Sequence, residues 1–266
     1  MLFLKNLTGK IIVITGGTAG VGKAVADKLR KDNTVIVLSR SAENNGVTSF
    51  ACDVSNKARV KEVFDAIGEK YGRIDILLNN AAYDVSGATE LLSEDDARKL
   101  FDVNYFGVLF CSQCALPFMH AGSRIANISS VAAISPSPFR ASYNASKAAV
   151  LMLSASMRME TMPFGVDITA LCLGDVATDF PAHCERRTLT NERYGDAVAA
   201  VDRFVDNWGK EKKMPVEKVA GIICKILAKN KTSFRHIVGN KYKVFNIINM
   251  FFPNTVMKIV YHIAAK

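Results

Sequence analysis

Tyr143 and Lys147 stand four residues apart in the stretch Ser142-Tyr143-Asn144-Ala145-Ser146-Lys147, which reads as the start of a helix. On a helix, positions i and i+4 share a face. A phenol is a poor acid–base group at neutral pH, because its ordinary pKa is about 10. A neighbouring ammonium favours the phenolate and lowers that value. The pair is therefore a minimal device for moving a proton to or from an alcohol oxygen. Two further features give it weight. Ser129-Ser130 closes the apolar run Ile125–Ile128, and a glycine-rich turn lies near the N-terminus.

The elements that must position these groups alternate strand and helix. Lys10–Thr15 is a short β-branched run, so a buried strand. Gly16-Gly17-Thr18-Ala19-Gly20-Val21-Gly22 follows at once, and a helix is predicted over Lys23–Arg30. Glycines between a strand and a helix let the backbone approach a pyrophosphate, and the helix N-terminus offers it N–H groups. Further strands are predicted at Thr34–Leu38, Val47–Cys52, Ile74–Leu78, Arg124–Ser129, Val166–Leu171 and Phe234–Val238. Between them fall helices at Asn56–Tyr71, from the N-cap Ser93 to about His120, Ala141–Met162 and Val216–Leu227. Such alternation means a parallel sheet with helices on both faces. Gly16, Asn79, Ser130 and Gly174 all lie just past strand ends, where a ligand sits in such sheets. The second strand ends at Ser39-Arg40-Ser41 with no carboxylate. Arg can grip a ribose 2′-phosphate through two parallel hydrogen bonds, so NADP(H) is expected over NAD(H).

The chain has 266 residues, 49% hydrophobic and 22% charged, which suits one sizeable α/β core and one domain over 1–266. The formal net charge of +9 fits either a solvated surface or attraction to an anionic cofactor or membrane. No motif points to nucleic acid. The six cysteines are spread through apolar segments, without disulfide-scaffold density, and the first residues do not read as a signal peptide. A reducing cytoplasm is expected. Cys111 and Cys114 have redox-motif spacing but fall inside a helical pattern, so buried thiols are expected. No metal site is expected; His183-Cys184 lacks partner ligands.

Thr15-Gly16-x-x-x-Gly20-x-Gly22, Asn79-Asn80-Ala81, Asn104, Ser130 and Tyr143-x-x-x-Lys147, in that order, resemble the short-chain dehydrogenase/reductases. The likeness covers about residues 8–180, including the thirteen-residue step from Ser130 to Tyr143. It implies a Rossmann-type doubly wound fold with a seven-stranded parallel sheet, and hydride transfer between nicotinamide and a carbonyl or alcohol carbon. The resemblance implies that Tyr143 is the general acid in reduction and the general base in oxidation. Lys147 lowers its pKa and bonds the nicotinamide ribose, Ser130 bonds the substrate oxygen, and Asn104 holds a water that relays protons to Lys147. The implied cofactor contacts are Gly16, Thr18, Gly20, Val21 and Gly22 at the phosphates, then Ser39 and Arg40 at the adenosine ribose. Asp53 and Val54 border the adenine, Asn80 and Ala81 line the channel, and Val176 and Thr178 face the nicotinamide. Three positions depart from the family pattern: Leu173-Gly174 stands for Pro-Gly, Ala82 for the last glycine of Asn-Asn-Ala-Gly, and Ala133 for a glycine.

The segment Asp175–Lys213 is where this family carries a mobile lid. Here it holds Phe180, Pro181, Phe204 and Trp208 among many charges, which suggests an apolar substrate. In the tail, about 241–266, Val244, Ile247, Ile248, Phe251, Phe252, Val256, Ile259 and Val260 recur at helical spacing around Pro253, with Lys241, Lys243, Lys258 and Lys266 interleaved. The stripe either packs on the domain or a second subunit, walls a lipid-sized pocket, or lies on a membrane surface. It is too broken to span a bilayer. The tail and the stretch 142–166 look most similar to the hydroxysteroid and retinol dehydrogenase branch. The expectation is an NADP(H)-dependent oxidoreductase of a lipophilic ketone or secondary alcohol, with a hydroxysteroid leading. A membrane-associated lipid or retinoid reductase is the alternative. A dimer or tetramer is common in the family. A cofactor-binding regulator without turnover is the rival from another class, and the intact Ser130, Tyr143 and Lys147 argue against it.

Overall fold

Strand β1 (Ile11–Thr15) sits in the middle of the sheet because both its faces are apolar; Ile12, Val13 and Ile14 are fully buried. The computed structural model describes residues 7–41, 46–178, 185–186, 192–194, 196–197, 199–200 and 213–264. The other strands of the main sheet are β2 (Thr34–Ser39), β3 (Thr48–Ala51), β4 (Ile76–Asn79), β5 (Arg124–Ser130), β6 (Asp167–Leu173) and β7 (Arg235–Val238). Their order is β7-β6-β5-β4-β1-β2-β3, with every pairing parallel. Chain order reverses between β1 and β4, and β1 and β4 open a crevice at their carboxyl ends.

Eight helices are described: α1 (Gly20–Leu29), α2 (Lys57–Tyr71), α3 (Glu94–Phe101), α4 (Gly107–Ala115), α5 (Ala141–Thr161), α6 (Val216–Leu227), α7 (Asn240–Phe251) and α8 (Pro253–Ala264). Helices α1 and α6 cover one face of the sheet, packing Val25, Leu29 and Ile223 on Ile14, Val37 and Leu171. Helices α2, α4 and α5 cover the other, packing Phe64, Cys111 and Met157 on Val13, Leu77 and Ile168. Each fully buried Val, Leu, Ile or Phe contributes about 1.5–3 kcal/mol. Buried Arg124 ties the far end together. Its guanidinium donates to the carbonyls of Ile226 and Leu227 at the end of α6 and pairs with Asp167 at 3.0 Å.

Two expected elements take a different form. Helix α1 begins at Gly20 rather than Lys23. A Cβ at Gly22 would lie 2.4 Å from the Gly16 carbonyl oxygen, so the glycines form the first helical turn against the loop. The long helix starting at Ser93 is interrupted. Ser93 does cap it, accepting from Asp96 N–H at 3.1 Å, but residues Asp102–Phe106 form a π-helical turn between α3 and α4. Single π turns of this kind gather at functional sites, and this one contains Asn104.

Candidate active site

The base of the crevice is a bare turn. Gly16 has φ +64 and a Cβ there would stand 3.0 Å from Ala81 Cα. Thr15, buried, holds the two loops together: its Oγ1 accepts from Asn80 N–H at 2.9 Å and Ala81 N–H at 3.0 Å. Asn80 Nδ2 donates to the Gly16 carbonyl at 3.0 Å, so this amide shapes the channel wall through the backbone. Thr178 closes over the turn; a Cβ at Gly20 would meet its Cγ2 at 3.6 Å. Thr18 lies within the same turn and Val21 in the first turn of α1, packed on the core. The side-chain-free cradle at a helix N-terminus fits a dinucleotide pyrophosphate. Around its rim, exposed Arg40 follows Ser39 at the tip of β2, and Val176 pairs with Pro215's neighbour Met214 beside the crevice. Asp53 lies two residues past β3, its carboxylate accepting from Ser55 N–H at 2.9 Å, with buried Val54 next to it against Gly107.

Ser130 ends β5, where its Oγ accepts from Ala132 N–H at 3.1 Å. A hydroxyl that accepts from backbone keeps its own proton to donate. Tyr143 packs with Ala132, Leu100 and Val85 and is almost wholly buried. Lys147 is also buried, its ammonium donating to the Ile128 carbonyl at 3.2 Å and lying 5.7 Å from the centre of the Tyr143 ring. Burial pulls Lys147 down to about 8, against the opposing pull of the Asp84 carboxylate. Ser129, the first of the Ser129-Ser130 pair, fixes this turn of α5 by donating to the Lys147 carbonyl at 2.9 Å. From α5, Lys147 and Tyr143 thus touch Ile128 and Ala132, which flank Ser130 at the end of β5.

Asn104 is fully buried and its side-chain amide is engaged. It accepts from Tyr83 N–H at 3.0 Å and donates to the Tyr83 carbonyl at 3.0 Å and Ser146 Oγ at 3.1 Å. The mid-helix asparagine therefore pins the loop after β4 to α5, one residue from Lys147. Both hydrogens of its Nδ2 are used, so towards a water the side chain offers only the second lone pair of Oδ1.

Two residues that pattern reading passed over complete the surroundings. Buried Asp84 pairs with Arg140, whose Nε donates to Asp84 Oδ2 at 2.7 Å. The Arg140 guanidinium lies 4.5 Å from the centre of the Tyr143 ring. Nothing local marked them, since they stand 56 residues apart in the chain. The described part of the lid docks on the same region. Val85–Ser86 pairs with Glu185–Arg186, and Arg193 and the Tyr194 hydroxyl reach Glu90 at 3.0 and 2.9 Å. Phe180, Pro181, His183, Cys184, Phe204 and Trp208 lie outside the described residues. Among the described residues no cluster of metal ligands occurs.

At Leu173-Gly174 the glycine, which the family pattern also has, has a reason in the tail. A Cβ at Gly174 would lie 1.9 Å from Tyr242 Cε2, so only glycine admits the Tyr242 ring. Tyr242 in turn bonds Asp175 through its hydroxyl. Of the tail stripe, Val256 is buried, while Val244, Ile247, Ile248, Phe251, Phe252 and Ile259 are exposed. Most of the stripe thus faces outward, while Val256 and half-buried Val260 turn inward.

The fold defines a doubly wound, dinucleotide-binding type of sheet with a glycine turn after its first strand. Residues 10–188 match the family model described as short chain dehydrogenase, and the chain belongs to that family. It is 32% identical over 237 residues to the 3-ketodihydrosphingosine reductase of Bacteroides thetaiotaomicron, covering 86% of this chain and 88% of that one. It is 35% identical over 187 residues to the 3beta-hydroxysteroid dehydrogenase of Mediterraneibacter gnavus, covering 65% and 67%. Its fold is similar to a short-chain dehydrogenase from Streptomyces avermitilis, with TM-score 0.84 and 25% identity over 93% of this chain and 94% of that chain. The chain is an oxidoreductase of this family and binds a nicotinamide dinucleotide.

Proposed function

We propose that this chain is an NADP(H)-dependent oxidoreductase that interconverts a ketone and a secondary alcohol on a lipophilic substrate. The observation that carries it is the Lys147 ammonium 5.7 Å from the centre of the buried Tyr143 ring, which packs on Ala132, two residues past Ser130. The bound cofactor supplies or accepts hydride. Ser130 donates to the carbonyl oxygen and stabilises the charge that builds on it. Tyr143 delivers its proton to that oxygen, and the Lys147 charge favours the phenolate left behind. Arg40 at the tip of β2 is the group offered to a 2′-phosphate.

The lipid-ketone alternative of the sequence reading gains support over the hydroxysteroid. The sphingoid-base reductase aligns over 86% of this chain and the steroid enzyme, slightly more identical where it aligns, over 65%. A keto-sphingoid base is therefore the first substrate to test and a 3-ketosteroid the second. Both are offered with NADPH while absorbance of the reduced nicotinamide is followed. Turnover of either supports the reading; turnover of neither, with small hydrophilic diols oxidised instead, overturns it. A dimer or tetramer accompanies this reading, with exposed Met152 and Met159 on α5 as apolar surface for it, and solution mass checks it. The described cysteines are free, with Cys52, Cys111, Cys172 and Cys224 buried and Cys114, expected buried, half-buried instead; free thiols agree with a reducing, cytoplasmic setting.

A further inference from the structure

Helix α7 is folded inside out. Its domain side carries Tyr242, Phe245, Asn246 and Asn249, all half-buried. Tyr242 bonds Asp175, and Asn249 Nδ2 donates to the Ile134 carbonyl at 3.0 Å. Its outer side carries Val244, Ile247, Ile248 and Phe251, spaced i, i+3, i+4, i+7 and 46–66% exposed. A helix on a water-facing surface has the opposite arrangement. At about 100° per residue, Lys241 and Lys243 fall on the two borders of this outward stripe. Helix α8 exposes further apolar residues, Met257 and Tyr261 on one side and Ile259 and Ile263 on the other. From Asn240 to Lys266 the chain has four lysines and no carboxylate side chain.

A second observation lies beside the first. The outer edge of the sheet, at β7, forms one wall of an open groove of about 530 Å³. Lys225 and Lys229 line it from α6 and the turn after it, Arg235 and His236 from β7, and Lys243 from α7. No Asp or Glu lines it. Lys243 thus belongs to both the groove and the border of the apolar stripe.

We infer that α7, α8 and this groove form a docking surface for an anionic lipid bilayer. The stripe enters the acyl boundary and the groove cations lie against headgroup phosphates. Charge decides between this occupant and a second copy of the chain. A symmetric pairing through this face would set the same lysines against one another, whereas an anionic surface neutralises them. The surface also adjoins the substrate mouth: Tyr242 anchors α7 at Asp175, the start of the lid segment, and Asn249 anchors it at Ile134, four residues past Ser130. A lipophilic ketone could then pass from bilayer to site without crossing water. That route rests on the proposed substrate class; the docking itself does not.

The test is co-sedimentation of the full chain with phosphatidylcholine vesicles, with and without phosphatidylserine, at low and high salt. Binding is expected to rise about tenfold with phosphatidylserine and to fall with salt. Ile247→Glu with Phe251→Glu should lose binding by about tenfold or more, with the thermal midpoint unchanged. Lys229→Glu with Lys243→Glu should remove the phosphatidylserine dependence. Ile247→Ser with Phe251→Ser gives the same loss if the charged pair fails to fold. Sedimentation that ignores phosphatidylserine, or that survives the outward substitutions, overturns the proposal. So does a wild type that binds no vesicles and whose solution mass halves in the outward variants, which assigns the face to a second copy. No turnover enters these readouts, so they stand or fall apart from the substrate assignment.

Discussion

The Arg140 guanidinium lies over the Tyr143 ring, 4.5 Å from its centre, and is held there by a buried carboxylate, Asp84. The same carboxylate acts on Lys147, raising its pKa against the pull of burial. One acidic side chain thus bears on both partners of the proton-transfer pair. Asp84→Asn should move the alkaline limb of the pH–rate profile for ketone reduction to lower pH, since Lys147 loses the charge that helps to keep it protonated. It should also destabilise the fold by about 3 kcal/mol, the order of loss when a buried ion pair is broken from one side. A profile that superposes on wild type would remove Asp84 from the electrostatics of the site.

Tyr143→Phe keeps the ring that packs on Leu100 and Ala132 and removes only the hydroxyl with its transferable proton. Reduction should fall by about 10²–10⁴-fold, the range for general acid–base groups, while NADPH affinity changes little. Ser130→Ala should cost about 10²–10³-fold in turnover by removing a donor to the developing oxyanion. Steady-state rates and nicotinamide fluorescence titrations separate the two effects. Undiminished turnover in Tyr143→Phe would sink the catalytic assignment.

Lys147 carries a stability signature. Its folded value of about 8 lies below the ordinary 10.5. Below pH 8 both folded and unfolded states hold the proton, and the folded state bears the full cost of a buried charge. Between pH 8 and 10.5 the folded state releases its proton while the unfolded chain keeps it, so stability rises with pH. Relative to Lys147→Met, wild type should gain about 3 kcal/mol across that window. Urea unfolding of both proteins on either side of the window measures it, and a pH-independent difference would show that the ammonium is not desolvated.

Arg40 is tested by cofactor choice. A charge-assisted contact to a phosphate is worth about 1.5–3 kcal/mol, so Arg40→Ala should lower the NADPH-to-NADH affinity ratio by about 10–100-fold. An equal ratio in wild type and variant would assign 2′-phosphate recognition elsewhere.

The order of strands and helices was legible in the chain because it rests on local periodicity. Buried β-branched runs, glycines at a strand end and caps such as Ser93 act through neighbours a few residues away. The shared face of Tyr143 and Lys147 follows from helical spacing alone, and the placing of Gly16, Asn80 and Ser130 at one edge follows from parallel connections. What only the tertiary structure decided depends on which strands become neighbours. Asp84 reaches Arg140 across 56 residues, and Gly174 owes its identity to a ring 68 positions on, at Tyr242. The amide of Asn104 is consumed by Tyr83 and Ser146 because a π turn brings it inward. Periodicity in the tail marked an apolar stripe but not its direction. That was set when Tyr242 and Asn249 found polar partners on the domain and turned Val244, Ile247 and Phe251 outward.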